Sequence, residues 1–129
     1  MPTLLFVDDN KNVREFCKRH LECEGYRVIL GADGHAALAV LRQELPDLVV
    51  LDVRMARLGG LEAIEQITML YPHLPVILYT ERSDYVGDKR YHLAAACVEK
   101  SGDLSGLKAA IELALAQRQN RKSLSSQRS

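Results

Sequence analysis

Acidic residues follow two of the short apolar runs in this sequence. The pair Asp8-Asp9 comes directly after Leu4–Val7, and Asp52 comes directly after Leu48–Leu51. A carboxylate at the end of such a run is costly to bury unless it has a partner. Several carboxylates held close together need a cation, and Mg²⁺ fits because it prefers oxygen ligands and leaves positions for phosphate oxygens. The residue types therefore indicate a magnesium site that can hold a phosphate group.

A hydroxyl and an ammonium group follow two further runs. Thr80 ends the run that begins at Val76, and Lys100 follows the small-residue stretch Ala94–Val98 after one glutamate. A lysine in this position can neutralise carboxylates or bind a phosphoryl oxygen as a point charge. Each residue also has an ordinary explanation: most lysines are solvated, threonine commonly ends strands, and the acidic pair alone could cap a helix. Their occurrence together at four predicted strand ends favours a shared site.

The short apolar runs predict strands that are buried on both faces, because they are too short for helices and lack the alternation of a half-exposed strand. Segments with the apolar spacing of helices lie between them. This pattern predicts an α/β fold with a doubly wound, five-stranded parallel sheet, flavodoxin-like, in the strand order 2-1-3-4-5. Ligands of such sheets bind at the carboxyl ends of the strands, where the polar residues fall.

Two parts of the pattern are weaker. The fourth helix would have to lie within residues 83–94, a stretch with a mixed face and a glycine at position 87. The last helix is predicted over Leu104–Ala116, and the polar, serine-rich segment after it has too little apolar surface to offset the entropy of ordering. The expected organisation is a folded domain over residues 1–117 and a disordered tail over 118–129.

Composition narrows the function classes. The 129 residues and 47% hydrophobic content suit one domain, and 17 basic residues balance 17 acidic ones. Without a global positive field, direct binding to nucleic acid or to an anionic membrane surface is not expected. The cysteines, Cys17, Cys23 and Cys97, have no metal-ligand spacing and are odd in number, so we expect reduced thiols. With no basic leader and no run long enough to span a bilayer, the expected location is the cytoplasm.

Taken in order, these residues resemble the receiver domain of two-component response regulators. The resemblance covers roughly residues 3–116 and is carried by Phe6–Asn10, Ala32–Gly34, Pro46–Asp52, Gly60–Glu62 and Tyr79-Thr80. It implies that Asp52 is the phosphoacceptor in a reaction that requires Mg²⁺. It also implies that the metal is held by Asp8, Asp9, Asp52 and the backbone carbonyl of Arg54.

The resemblance implies a switch as well as a site. Thr80 and Lys100 would contact the phosphoryl group, and the change would reach the face made by the fourth helix, the fifth strand and the fifth helix. The expected partners are a histidine kinase or phosphotransfer protein and a downstream protein target, with a homodimer also open. Beyond self-phosphorylation and self-dephosphorylation, no enzymatic activity is expected.

Three positions depart from the family pattern. Cys97 stands where the family usually has a tyrosine or phenylalanine whose rotation accompanies the switch, and a cysteine cannot make that movement. Ser101 follows Lys100 where the family often has a proline in a cis peptide bond. Glu81 follows Thr80 where a small residue is usual, so Glu81 and Arg54 could form an ion-paired lid over the site. Two solvated side chains are the plainer alternative.

Two other function classes stay open. A degenerate receiver, its switch disabled by Cys97, could serve as a phosphorylation-independent binding or dimerisation module. An aspartate-nucleophile phosphohydrolase also places an aspartate after a buried strand. Such an enzyme requires a second carboxylate two residues later, and in this sequence Arg54 occupies that position. The complete acidic site favours the phosphorylation-dependent switch over both.

Overall fold

The computed structural model describes residues 1–55, 57–81 and 87–128, with side chains as far as residue 120. The strands are β1 (Thr3–Val7), β2 (Arg27–Gly31), β3 (Leu48–Asp52), β4 (Val76–Thr80) and β5 (Ala96–Glu99). The helices are α1 (Lys11–Cys23), α2 (Gly34–Gln43), α3 (Gly60–Leu70) and α4 (Ser105–Arg128), with a 3₁₀ helix at Lys89–Leu93 before β5. All strand pairs are parallel, in the order β2-β1-β3-β4-β5. The predicted fold class and strand order are confirmed.

The extent to which each strand is buried explains whether its sequence is continuously apolar. Every residue of β3 and β4 is buried, and so are Leu4–Val7 of β1, which is why these runs show no polar alternation. β5 lies at the edge of the sheet, and its residues alternate between partly buried and exposed. One apolar cluster packs α1 and α4 against one face of the sheet, and a second packs α2 and α3 against the other. This packing fixes the carboxyl ends of the central strands.

Two local features hold the backbone at the carboxyl edge of the sheet: the side-chain cap of α1 and the glycine at the start of α3. The Oδ1 atom of Asn10 accepts hydrogen bonds from the backbone N–H groups of Asn12 and Val13 and so caps α1. The start of α3 lies directly against the end of β3. A Cβ atom at Gly60 would lie 2.2 Å from the carbonyl oxygen of Asp52, so a glycine is needed for this close approach.

The fourth repeat contains a 3₁₀ helix rather than an α-helix in the part that the structure describes. Residues 82–86, which belong to the stretch predicted as the fourth helix, lie outside the described residues. The Asp88 carboxylate caps the 3₁₀ helix by accepting a hydrogen bond from the backbone N–H of Arg90. The guanidinium of Arg90 also pairs with Glu65 of α3 at 3.0 Å. This network ties the short element to α3.

The last helix continues past its predicted end. The sequence predicted Leu104–Ala116 followed by a disordered segment, whereas α4 runs to Arg128, so the predicted helix end was wrong. Besides three serines, residues 117–128 contain three glutamines and three arginines, which favour helix even without an apolar face. In addition, Arg118 Nη1 donates a hydrogen bond to the backbone carbonyl of Asp47 at 2.6 Å. The limit of the domain at residue 117 stays a prediction.

α4 is long, but only its first half carries an apolar face, which packs on the sheet. No helix among the described residues combines the length and the apolar character needed to cross a membrane.

Candidate functional site

Three carboxylates meet at the carboxyl edge of the sheet. Asp8 follows β1 and Asp52 ends β3, and these strands are paired in parallel with Val7 opposite Leu51. One carboxylate oxygen from each of Asp8, Asp9 and Asp52 lies within 4.8 Å of the others. Asp8 is 1% exposed and Asp52 is buried, whereas Asp9 is open to solvent. The predicted convergence of the strand ends is therefore observed for all three acids.

The ammonium group of Lys100 joins this cluster from β5. Its Nζ donates a hydrogen bond to Asp8 Oδ2 at 2.9 Å and lies 3.3 Å from Asp52 Oδ1. The backbone N–H of Lys100 donates to the carbonyl oxygen of Thr80 at 2.8 Å, which fixes the start of the lysine side chain beside β4. One ammonium against three carboxylates leaves negative charge in excess among these four groups. This excess and the all-oxygen donor set fit a hard divalent cation such as Mg²⁺.

The Asp8 carboxylate is held by the turn that leads into α1. Its Oδ1 accepts a hydrogen bond from the backbone N–H of Asn10 at 2.9 Å, and its backbone carbonyl accepts one from Arg14 Nη1 at 2.8 Å. Capping of α1 falls to Asn10. The simple explanation that the acidic pair caps the helix therefore does not describe this structure.

Burial changes the electrostatics of Asp52. Desolvation, together with the nearby Asp8 charge, raises the pKa of Asp52 to about 6, although Lys100 and the backbone N–H of Arg54 act in the opposite direction. Burial opposes the charge on Lys100, but hydrogen bonding to Asp8 and attraction to Asp52 outweigh it, so the pKa of Lys100 is raised. Asp52 is thus an anion near neutral pH whose charge is not fully offset by Lys100.

Comparison with known proteins identifies the family. The family model for the response regulator receiver domain matches residues 4–112. The chain belongs to this receiver family. Its curated relatives include the response regulator MprA of Mycolicibacterium vanbaalenii, which is 44% identical over 79 residues, 61% of this chain and 34% of the relative. The MprA protein of Mycobacterium leprae is 43% identical over 79 residues, 61% of this chain and 35% of the relative. The receiver domain thus spans about a third of the length of these relatives.

Solved structures show the same fold. The response regulator TrrA of Thermotoga maritima, in complex with Mg²⁺-BeF, has a TM-score of 0.85 and 33% identity and covers 88% of this chain and 99% of its own. TrrA in complex with the histidine kinase ThkA has a TM-score of 0.83 and 34% identity, covering 89% and 99%. NtrX from Brucella abortus has a TM-score of 0.90 and 27% identity, covering 98% of this chain and 30% of its own.

Two positions that the resemblance linked to switching, Thr80 and Cys97, lie in contrasting environments. Thr80 is fully buried at the end of β4. Cys97 is exposed on the edge strand, where its Sγ lies 3.9 Å from the backbone carbonyl of Tyr91 and partial burial raises the pKa of the thiol. The position that the family usually gives to an aromatic ring thus holds a small side chain on an edge strand. The predicted loss of the usual aromatic movement remains a prediction.

The contact between Lys100 and the aromatic ring of Tyr79 was not predicted from the sequence. The ring centroid of Tyr79 lies 5.7 Å from Lys100 Nζ, and its ring packs edge-on against Phe6 with centroids 6.3 Å apart. Burial is the main reason that the pKa of Tyr79 is raised to about 12, so its hydroxyl stays protonated at neutral pH. The only available signal was an aromatic residue directly before Thr80 at the end of a buried strand.

The mouth of the site is lined by exposed residues. Arg54 and Glu81 are both open to solvent at this edge, and the ion-paired lid predicted from them stays a prediction. The Lys100–Ser101 peptide bond is trans, as are the other described peptide bonds. A shallow groove runs beside the carboxylates, lined by Asp9, Val53, Arg54, Met55, Leu58, Gly59 and Glu62. The site is therefore reachable from solvent on the Asp9 side.

Proposed function

We propose that this receiver domain is a phosphorylation-dependent signalling switch in which Asp52 accepts a phosphoryl group from a histidine kinase or phosphotransfer protein. The observation that carries the proposal is the meeting of three carboxylates within 4.8 Å, with the Lys100 ammonium 3.3 Å from Asp52. A carboxylate oxygen of Asp52 would attack the phosphorus atom while the bond from phosphorus to the donor breaks. The product is an aspartyl phosphate.

A magnesium ion would be held by Asp8, Asp9, Asp52 and the backbone carbonyl of Arg54. When bound, it supplies positive charge next to the phosphoryl oxygens. The excess of carboxylates over ammonium groups supports this assignment, and so does the Mg²⁺-BeF complex of TrrA at 33% identity. Asp8 is already oriented by its hydrogen bond from the backbone N–H of Asn10, which limits the rearrangement needed for binding.

Lys100 and Thr80 would couple phosphorylation of Asp52 to a conformational change in the rest of the molecule. The Lys100 ammonium, close to both buried carboxylates, can donate a hydrogen bond to a phosphoryl oxygen. The Thr80 hydroxyl would bond a second oxygen and shift the population of arrangements of the 3₁₀ helix, β5 and α4. This face is the proposed contact for a downstream protein target, and a homodimer through it is open.

The proposed setting is the cytoplasm, with a protein rather than a nucleic acid as the direct partner. The ThkA complex of TrrA supports a kinase partner, and the balance of 17 basic and 17 acidic residues offers no general attraction to nucleic acid. No activity beyond self-phosphorylation and self-dephosphorylation is proposed.

The test uses acetyl phosphate and Mg²⁺ followed by intact-mass measurement. We expect the wild type to gain the mass of one phosphoryl group, and EDTA or the Asp52→Asn substitution to abolish the gain. Asp47→Asn is the matched control, because Asp47 lies just before the other end of β3 and leaves the cluster unchanged. No adduct on the wild type would favour a phosphorylation-independent binding module, and repeated turnover of phosphomonoesters would favour a hydrolase.

A further inference from the structure

We propose that Tyr79 is a positioning residue whose aromatic ring holds the Lys100 ammonium beside Asp52 for phosphoryl transfer. The inference rests on the proposed function and adds to it a residue that acts through Lys100. Tyr79 touches neither of the buried carboxylates in the described contacts, and its ring faces the ammonium. Tyr79 would therefore affect the reaction by determining the position of the Lys100 ammonium.

The ammonium is held from two sides. Nζ bonds Asp8 at 2.9 Å and lies 3.3 Å from Asp52, while the Tyr79 centroid lies 5.7 Å away. Attraction between a cation and an aromatic face extends to about 6 Å and is stronger where the cation is partly desolvated. The Lys100 side chain is only 19% exposed, which meets that condition. The ring thus supplies a contact that the carboxylates cannot replace.

The ring itself is fixed by the core. Tyr79 is 4% exposed near the end of the buried strand β4, and its backbone is opposite Asp52 on one side and Val98 on the other. Phe6 packs edge-on against it at an interplanar angle of 63°. Lysine has a long and flexible stem, whereas the tyrosine is immobilised by its neighbours. A rigid ring beside a flexible cation reduces the positions that the cation can adopt.

An apolar groove adjoins the pair. Tyr79 and Lys100 form part of its wall together with Val13, Phe16 and Leu104. These apolar neighbours limit hydration of the ammonium and strengthen its contacts with the ring and the carboxylates. With the ammonium restrained close to Asp52, less freedom would be lost when it meets the oxygens of an incoming phosphoryl group.

The test compares Tyr79→Leu, Tyr79→Phe and Tyr26→Leu. The rate of phosphorylation by acetyl phosphate at saturating Mg²⁺ should fall about tenfold in Tyr79→Leu, a change typical of losing a partly desolvated cation–π contact. Tyr79→Phe keeps the ring and should stay close to the wild-type rate. Tyr26→Leu removes a tyrosine ring that packs against the same apolar cluster but has no described contact with Lys100 or Tyr79, so this variant should also keep the rate. An equal loss in Tyr26→Leu, or no loss in Tyr79→Leu, would overturn the proposal.

A second measurement needs no phosphorylation. Proton NMR of the wild type should show the Lys100 side-chain methylene signals shifted upfield by the Tyr79 ring current, with the shift kept in Tyr79→Phe and lost in Tyr79→Leu. Absence of the shift in the wild type would overturn the contact itself. If the wild type showed the shift but formed no phosphoryl adduct, the proposed function would fail while the ring-to-ammonium contact would stand.

Discussion

At the scale of single residues, the Asp52 carboxylate carries an electrostatic cost in the metal-free protein. Burial and the Asp8 charge raise its pKa from 3.8 to about 6, against the opposing effect of Lys100. A group with a raised folded-state pKa contributes stability below its unfolded pKa and loses that contribution as the pH rises through the folded value. The negative charge that the proposed phosphoryl transfer requires thus lowers the stability of the folded domain at neutral pH.

Asp52→Asn should therefore stabilise the metal-free domain, and more at high pH than at low pH. At pH 8 in EDTA we expect the free energy of unfolding to rise by about 3 kcal/mol, the value that corresponds to a pKa shift from 3.8 to about 6. Near pH 4 the gain should largely disappear, because Asp52 is then protonated in the folded wild type. Urea unfolding of both proteins at both pH values measures this difference. A gain that is the same at both pH values would contradict the assigned cause.

Much of the candidate site could be predicted from residue order alone. Asp8, Asp9, Asp52 and Lys100 follow apolar runs, and parallel strands bring such positions to one edge. The Tyr79 contact could not be predicted in the same way, because it depends on the direction of a lysine side chain and the packing of a ring. Strand pattern fixes which backbone positions are neighbours but leaves side-chain directions to the packed core.

At the scale of elements, the junction between β3 and α3 determines where Asp52 lies. A Cβ atom at Gly60 would be 2.2 Å from the carbonyl oxygen of Asp52 and 2.9 Å from Cα of Val53. Both contacts are with backbone, which cannot move aside as a flexible side chain can. The first residue of α3 thus keeps the end of β3 and its carboxylate in place.

Gly60→Ala should disturb both the fold and the site. We expect unfolding free energy to fall by about 1–3 kcal/mol, the usual cost of forcing an extra group into a packed position, and phosphorylation by acetyl phosphate to slow. Gly102→Ala is the control, since a Cβ atom there meets nothing within 4 Å. Urea unfolding and intact-mass time courses measure the two effects. Equal behaviour of the two variants would show that the close approach does not constrain the site.

Elements differed in how well the sequence predicted them. The buried strands were predicted well because each run lies between covering helices and is apolar on both faces. The fourth element was weakly predicted because Gly87 and polar residues interrupt any apolar stripe, and a 3₁₀ helix held by Arg90 and Glu65 needs tertiary ion pairs. The end of α4 was missed because its extension has helix-forming residues without an apolar pattern.

At the scale of the whole molecule, binding of Mg²⁺ should couple the separate strand ends. The ion would draw together Asp8 and Asp9 after β1 with Asp52 of β3, so folding and binding should support each other. A ligand at one hundred times its dissociation constant stabilises a folded protein by about 2.7 kcal/mol. The melting temperature should therefore rise with Mg²⁺ and return to its starting value with EDTA.

Asp9→Asn is the variant that separates this coupling from a general salt effect. Asp9 is exposed and makes no hydrogen bond or ion pair among the described contacts, so its loss should weaken the Mg²⁺ response with little effect on the metal-free melting temperature. Asp47→Asn, at the opposite end of the sheet, should respond to Mg²⁺ as the wild type does. A full Mg²⁺ response in Asp9→Asn would remove Asp9 from the metal site.

The identity of the phosphorylated residue is the most direct test of Asp52 as the phosphoacceptor. The domain is treated with acetyl phosphate and Mg²⁺, the acyl phosphate is reduced with borohydride, and the peptides are sequenced by tandem mass spectrometry. Reduction of an aspartyl phosphate leaves homoserine, and we expect homoserine at position 52 only, with none after treatment in EDTA. Homoserine at Asp8 or Asp9, or a phosphorylated wild type with unmodified Asp52, would contradict this assignment.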